Sequence, residues 1–166
     1  VAVDLAGAEA LFPTSDYEKL FAHARAEEIP FTIHAGEAAG PESIRQAVDY
    51  GTARIGHGVN CIHDKNLMNI IAEKGITLEL CPTSNLNTKI VNDIKDYPID
   101  KIINNKIKVT INTDNMTVSG TDEASEMKLI CDTFGYDGNM RRIFVDNAID
   151  AAFLSNEMKE KLRGNL

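Results

Sequence analysis

Residues 31–37, Phe-Thr-Ile-His-Ala-Gly-Glu, open as a β-branched, apolar run and close on polar groups around a glycine. Four more segments share that character: residues 1–7 (VAVDLAG), 53–59 (ARIGHGV), 77–83 (TLELCPT) and 108–114 (KVTINTD). Each reads as a strand buried on both faces, because a strand covered by helices on one side and a barrel interior on the other carries few polar residues. Helical patterns separate them. Residues 15–28 place Tyr17, Leu20, Phe21 and Ala24 on one face behind the capping candidates Thr14 and Ser15. Residues 41–50 begin with Pro41 and stop at Gly51, residues 63–74 stop at Gly75, and residues 98–105 give a shorter helix. A strand every 20 to 30 residues with a helix between is the signature of βα units in a parallel sheet. After the last strand come helices alone, over 125–134, 141–154 and 156–162. No linker or low-complexity tract interrupts the pattern, so residues 1–166 read as one domain.

The composition narrows the function classes. The chain has 166 residues, 43% of them hydrophobic, and a formal net charge of −8. That acidity argues against a nucleic-acid or anionic-membrane surface, which needs clustered Lys and Arg. No apolar run is long enough to span a bilayer, and no signal peptide is recognisable. Cys61, Cys81 and Cys131 are odd in number and scattered, which suits reduced, packed thiols in the cytoplasm. The chain opens at Val1 inside an apolar run, an unusual natural start.

In parallel βα architectures, chemistry gathers at the C-terminal ends of the strands. Here those ends carry Gly7, His34 with Glu37, His57, Asn85 beyond Cys81-Pro82-Thr83-Ser84, and Asp114 with Asn115. Two imidazoles and two carboxylates converging from separate strands are suited to zinc, which takes neutral His and ionised carboxylate while leaving one position open for water.

Five blocks, Asp4-Leu5-Ala6-Gly7, His34-Ala35-Gly36-Glu37, Arg54-Ile55-Gly56-His57-Gly58, Cys81-Pro82-Thr83-Ser84-Asn85 and Asn112-Thr113-Asp114, resemble in order the motifs of the adenosine deaminase family. The closing helices, with Asn147-Ala148-Ile149 and Ala152-Phe153-Leu154, resemble that family's end. The resemblance implies a TIM-type (β/α)8 barrel, represented by units 4–8 and the C-terminal helices, with the first three βα units missing. It implies His34 and Asp114 as zinc ligands, Glu37 as the acid that protonates N1 of a purine, and His57 as the group that orients the attacking water and takes its proton. Gly7 would admit the purine edge close to the backbone. The implied reaction is hydrolytic deamination of adenosine and 2′-deoxyadenosine to the inosines, with release of ammonia. A catalytically silent purine-binding fragment and a deaminase for another aminopurine are the competing readings.

Two departures from the family pattern stand out. Asn115 occupies the position of a second Asp expected to bond purine N7; an amide donates to that acceptor without proton uptake, so the contact is expected to survive. The family's remaining zinc ligands form a His-x-His pair, and no such pair occurs in these residues. His23 falls inside a helix and His63 at a helix start, both expected to face solvent. With two of the usual ligands absent, zinc is expected to bind weakly, and open sheet edges at residues 1–7 and 108–114 are expected to invite self-association or pairing with an N-terminal segment.

Overall fold

The computed structural model describes residues 2–165. Five strands, β1 Val3–Leu5, β2 Phe31–Ala35, β3 Arg54–His57, β4 Thr77–Leu80 and β5 Lys108–Ile111, form one sheet in sequential order. Every neighbouring pair is parallel. Between them lie α1 Glu18–Ala26, α2 Pro41–Asp49, α3 Lys65–Lys74, α4 Pro82–Asn87 and α5 Ile99–Asn104. The chain closes on α6 Met116–Ser119, α7 Glu123–Phe134, α8 Gly138–Ala151 and α9 Asn156–Arg163. This is an arc of a (β/α) barrel, whose outermost strands β1 and β5 each have one edge unpaired among the described residues. The first residue of the expected first strand, Val1, lies outside the described residues.

The expected five strands are all present, but their faces differ from the expectation. Ile33, Ile55, Leu78 and Val109 are register neighbours across β2 to β5, and all four are buried in the core shared with Phe21, Ile44, Leu67 and Ile102 of the helices. The opposite face is polar: Asp4, Thr32, Arg54 and Glu79 line a cleft of about 490 Å³. Period-two alternation of side chains therefore holds. The reading of strands apolar on both faces fails, because this interior stabilises charge by pairing it. Arg54 Nε lies 3.1 Å from Glu79 Oε1, and Thr32 donates to Glu79 Oε2 at 2.8 Å. The Arg54 guanidinium also lies 3.9 Å from the centre of the Phe153 ring, so the closing segment covers the far end of the interior.

Local signals set most helix boundaries. Pro41 opens α2, as its fixed φ and missing N–H permit at a first turn. Asp64 caps α3 by accepting from Leu67 N at 3.0 Å, and Gly75 ends that helix in the left-handed conformation. Neither Thr14 nor Ser15 caps α1: residues 14–17 form a separate 3₁₀ turn, and the Thr14 hydroxyl pairs with Ser43 instead. Leu20 is largely exposed while Phe21 and Ala24 are buried, so the helix buries a narrower stripe than expected. The short helices α4 and α6 were not anticipated. The three cysteines are free and buried, and no described helix is long and apolar enough to cross a membrane.

Ile55 sits at the centre of this sheet with no exposed surface. Truncation to Ala is expected to destabilise the fold by about 2–5 kcal/mol through lost burial and a residual cavity. Chemical denaturation of Ile55→Ala beside the parent chain measures this, and a loss well under 1 kcal/mol would mean that the strand row is not the core.

Candidate active site

His34 projects from β2 into the cleft, where the β3 residue opposite is Gly56. A methyl group at Gly56 would lie 3.0 Å from the His34 ring, so the missing side chain is what lets the ring lie against β3. His34 Nδ1 is 3.3 Å from Asp4 Oδ1. The Asp4 carboxylate raises the His34 pKa above the ordinary histidine value, with burial opposing it.

His57 ends β3 in register with Ala35, a position whose side chain strict alternation would turn toward the helices. The backbone departs from that pattern at His57, with φ 61. The buried ring then stands 5.2 Å from that of His34. Asp114, beyond β5, has φ 56. Non-glycine residues in the left-handed region carry about 1–2 kcal/mol of strain, and such strain collects where side-chain aim matters more than backbone comfort.

The result is a compact constellation. One ligand atom from each of His34, His57 and Asp114 lies within 4.8 Å of the others. His57 Nε2 is 3.6 Å from Glu37 Oε2 and 4.0 Å from Asp114 Oδ2. Ligands of one tetrahedral zinc stand about 3.4 Å apart, given bonds of about 2.1 Å. The spread is somewhat wider than that, so small side-chain movements would close it. The chemistry of the donors fits, since ligating imidazoles usually have a carboxylate at their other nitrogen, and Asp4 stands at that place beside His34 Nδ1. Burial lowers the His57 pKa, which keeps that ring neutral. Cys81 lines the same cleft, but burial first and the surrounding carboxylates second push its thiol pKa far up, and so it supplies no thiolate.

Several residues to which sequence alone assigns no role, Asn85 among the strand-end residues included, hold this geometry. Ser84 donates to Asp114 Oδ2 at 2.7 Å. Asn85, fully buried on α4, places Nδ2 3.1 Å from His57 Nδ1 and 3.3 Å from Glu37 Oε1, while Tyr97 donates to its Oδ1 at 2.9 Å. Thr88 also donates to Glu37 Oε1, at 3.2 Å. The loop carrying Glu37 is gripped from both sides. Glu9 Oε1 accepts from Gly36 N at 2.6 Å, and its Oε2 accepts from Glu37, Ala38 and Ala39 N at 3.1, 2.8 and 3.0 Å. The Ser43 hydroxyl, 2.5 Å from Oε1, is the fifth donor to this carboxylate. Asn60 Nδ2 donates to the carbonyls of Glu37 and Ala39 at 3.0 and 2.8 Å. Asn85 lay within a recognised block, but nothing in the string gave it a function. Glu9 is a lone acid in a loop and has no periodic signature at all.

Gly7, with φ 155, borders a pocket of about 270 Å³ together with Leu5, Glu9, Phe12 and His34. A methyl group there would meet no protein atom within 4 Å, so it is the positive φ, and not packing, that favours glycine at this position. Asn115 caps α6 by accepting from Val118 N at 3.0 Å through Oδ1, which leaves its Nδ2 as the free donor. His23 and His63 are exposed and stand outside the constellation.

The model of the family described as adenosine deaminase matches residues 1–166. An adenosine deaminase of Haemophilus ducreyi is 45% identical over the whole chain, and one of Clostridium perfringens is 41% identical over 98% of it. The alignments take in 48% and 49% of those relatives, so the chain spans about half the length of the curated proteins it matches. An N6-methyl-AMP deaminase of Arabidopsis thaliana superposes with a TM-score of 0.88 at 28% identity, over 98% of this chain and 48% of that one. An amidohydrolase of Burkholderia ambifaria with bound zinc gives 0.90 at 25% identity, over 99% of this chain and 47% of that one.

Removing the Glu9 charge tests how much the loop depends on it. Glu9→Gln keeps the shape but replaces one acceptor oxygen with a donor facing backbone N–H groups, a loss of about 1–3 kcal/mol. Amide exchange at residues 36–39 is expected to accelerate while Ile33 and Ile55 stay protected; unchanged exchange at 36–39 would contradict the assigned contacts.

Proposed function

The chain belongs to the adenosine deaminase family, and from that premise we propose that residues 1–166 are the C-terminal portion of one deaminase barrel domain, which hydrolyses adenosine and 2′-deoxyadenosine to inosine and 2′-deoxyinosine with zinc as cofactor. The observation that carries this reading is the convergence of Glu37, His57, His34 and Asp114 from three different strand ends. Purine salvage in the cytoplasm is the corresponding setting, and the three free, buried thiols suit a reducing compartment.

Each residue has a task in that reaction. His34 and Asp114 would hold zinc, which when bound makes water nucleophilic near neutral pH. Both donors from Asn85 and Thr88 fall on Glu37 Oε1, so Oε2 is the oxygen left to carry a proton and pass it to N1. The oxygen of water forms a bond to C6 as N1 takes the proton of Glu37; the C6–amine bond then breaks, one proton of the water leaves with the amine as ammonia, and the other restores Glu37 as C6 becomes a carbonyl. Asp114 Oδ2, held by the Ser84 hydroxyl, faces His57 across the position for that water. The space beside Gly7 suits a purine edge, and Asn115 Nδ2 is a ready donor to N7 because the helix cap occupies its oxygen.

A second reading is favoured by one observation. The chain spans half of its relatives, and its constellation includes one carboxylate and two imidazoles rather than the family's full ligand set. On its own it would then bind zinc weakly and turn over little, and would associate through its open strand edges with itself or with an N-terminal segment. Supplying the remaining half of the Haemophilus ducreyi relative is expected to produce ammonia from adenosine. Glu37→Gln in that pairing should lower kcat by about 10²–10⁴. Ammonia from another aminopurine and none from adenosine would overturn the substrate assignment. Asn115→Asp is expected to leave kcat/KM within a few-fold; a large gain would count against the donor role of the amide.

A further inference from the structure

Asn85 makes more contacts with the constellation than any packing role would need. Its side chain has no solvent exposure, and each of its polar atoms faces a group of defined chemistry. Tyr97 is also buried, and burial raises its phenol pKa well above the ordinary tyrosine value, so it keeps its proton. That proton goes to Asn85 Oδ1 at 2.9 Å. The other end of the amide lies 3.3 Å from Glu37 Oε1, an acceptor. Both contacts require the same orientation, with Nδ2 toward the cleft. Nδ2 is then a donor 3.1 Å from His57 Nδ1. Two donors cannot share one hydrogen bond, so Nδ1 must present its lone pair.

We propose that Asn85 is a positioning residue that fixes the tautomer of His57, holding Nδ1 as acceptor and the ring proton on Nε2. This rests on the reading of His57 as the water-orienting group and deepens it. Nε2 is the nitrogen 3.6 Å from Glu37 and 4.0 Å from Asp114, so His57 faces the reacting atoms as a hydrogen-bond donor. A neutral ring in this tautomer has no lone pair at Nε2 with which to accept a proton from water. The expectation that His57 both orients the water and takes its proton therefore divides: the tautomer leaves His57 to orient, through a hydrogen bond donated by Nε2. Tyr97, Asn85 and His57 form a relay in which each donor dictates the next acceptor, starting from a phenol that sits outside the cleft lining.

The state of the ring can be read without metal, substrate or turnover. In ¹⁵N-labelled 166-residue chain above about pH 8, where histidine is neutral, long-range ¹H–¹⁵N correlations distinguish protonated from unprotonated ring nitrogens. His57 is expected to show an unprotonated Nδ1 and a protonated Nε2, with exposed His63 as the averaged reference. Asn85→Asp offers an acceptor in place of the donor and is expected to reverse the pattern, moving the proton to Nδ1. Tyr97→Phe, which leaves the amide free to turn, is expected to give averaged signals while backbone spectra show an intact fold. A protonated Nδ1 in the parent chain would overturn the proposal, as would a His57 pattern identical in the parent, Asn85→Asp and Tyr97→Phe. Since no activity enters the measurement, failure to deaminate adenosine would count against the function assigned above and leave this result to stand or fall separately.

Discussion

Parallel strands cannot be joined by a hairpin, so each must return across a helix and start again from the same end. All five C-terminal ends consequently lie on one rim, and everything that resembles chemistry in this chain depends on that constraint. His34, His57 and Asp114 are up to 80 positions apart in the chain, yet they meet because parallel pairing from β1 to β5 brings the strand ends to one rim, with Asp114 three residues beyond the end of β5. The helix-facing row of Ile33, Ile55, Leu78 and Val109 fixes the register, since a slip of one residue would turn that row into the cleft. The same alternation points Asp4, Thr32, Arg54 and Glu79 inward, where Arg54 and Glu79 neutralise each other.

Register alone does not aim side chains. His57 stands where alternation would send it toward the helices, and its left-handed backbone is part of how the ring reaches the cleft. Asp114 shares that conformation. Between them, Glu37 sits on a loop with no regular structure, whose backbone N–H groups converge on Glu9 and whose carbonyls converge on Asn60. A carboxylate that accepts from four successive backbone amides fills an anion-binding concavity from within the protein. It ties the loop after β1, which includes Gly7, to the loop after β2, which includes Glu37. The placement of those two loops relative to each other is then set by one side chain.

The sequence made visible the five strands, most of the helices and the rim residues, because these leave periodic or block-like traces. FTIHAGE announces both a strand and what stands at its end. Thr14 looked like a helix cap because only its neighbours in the chain could be seen; Ser43, its partner, is 29 residues away. The polar inner face was hidden for a related reason. Arg54 and Glu79 look like isolated charges until the register places them diagonally across β3 and β4, Arg54 opposite Thr77 and Glu79 opposite Gly56, within reach of an ion pair. Glu9, Asn60 and Asn85 were illegible as functional residues because their roles lie in contacts to backbone groups or to one ring nitrogen, and no spacing rule encodes those. Asn115 was legible as a departure, but its cap on α6, which directs the amide nitrogen outward, came only with the structure.

The proposed zinc site, with His34 and Asp114 as its ligands within residues 1–166, stands on the strand-end constellation. Equilibrium zinc titration of the 18.2 kDa chain, with intact mass recorded on the same sample, tests it most directly. The account predicts weak binding of one zinc per chain, lost in His34→Ala and in Asp114→Ala and preserved in the exposed control His63→Ala. Binding that is indifferent to His34 and Asp114, or that is lost with His63, would contradict it.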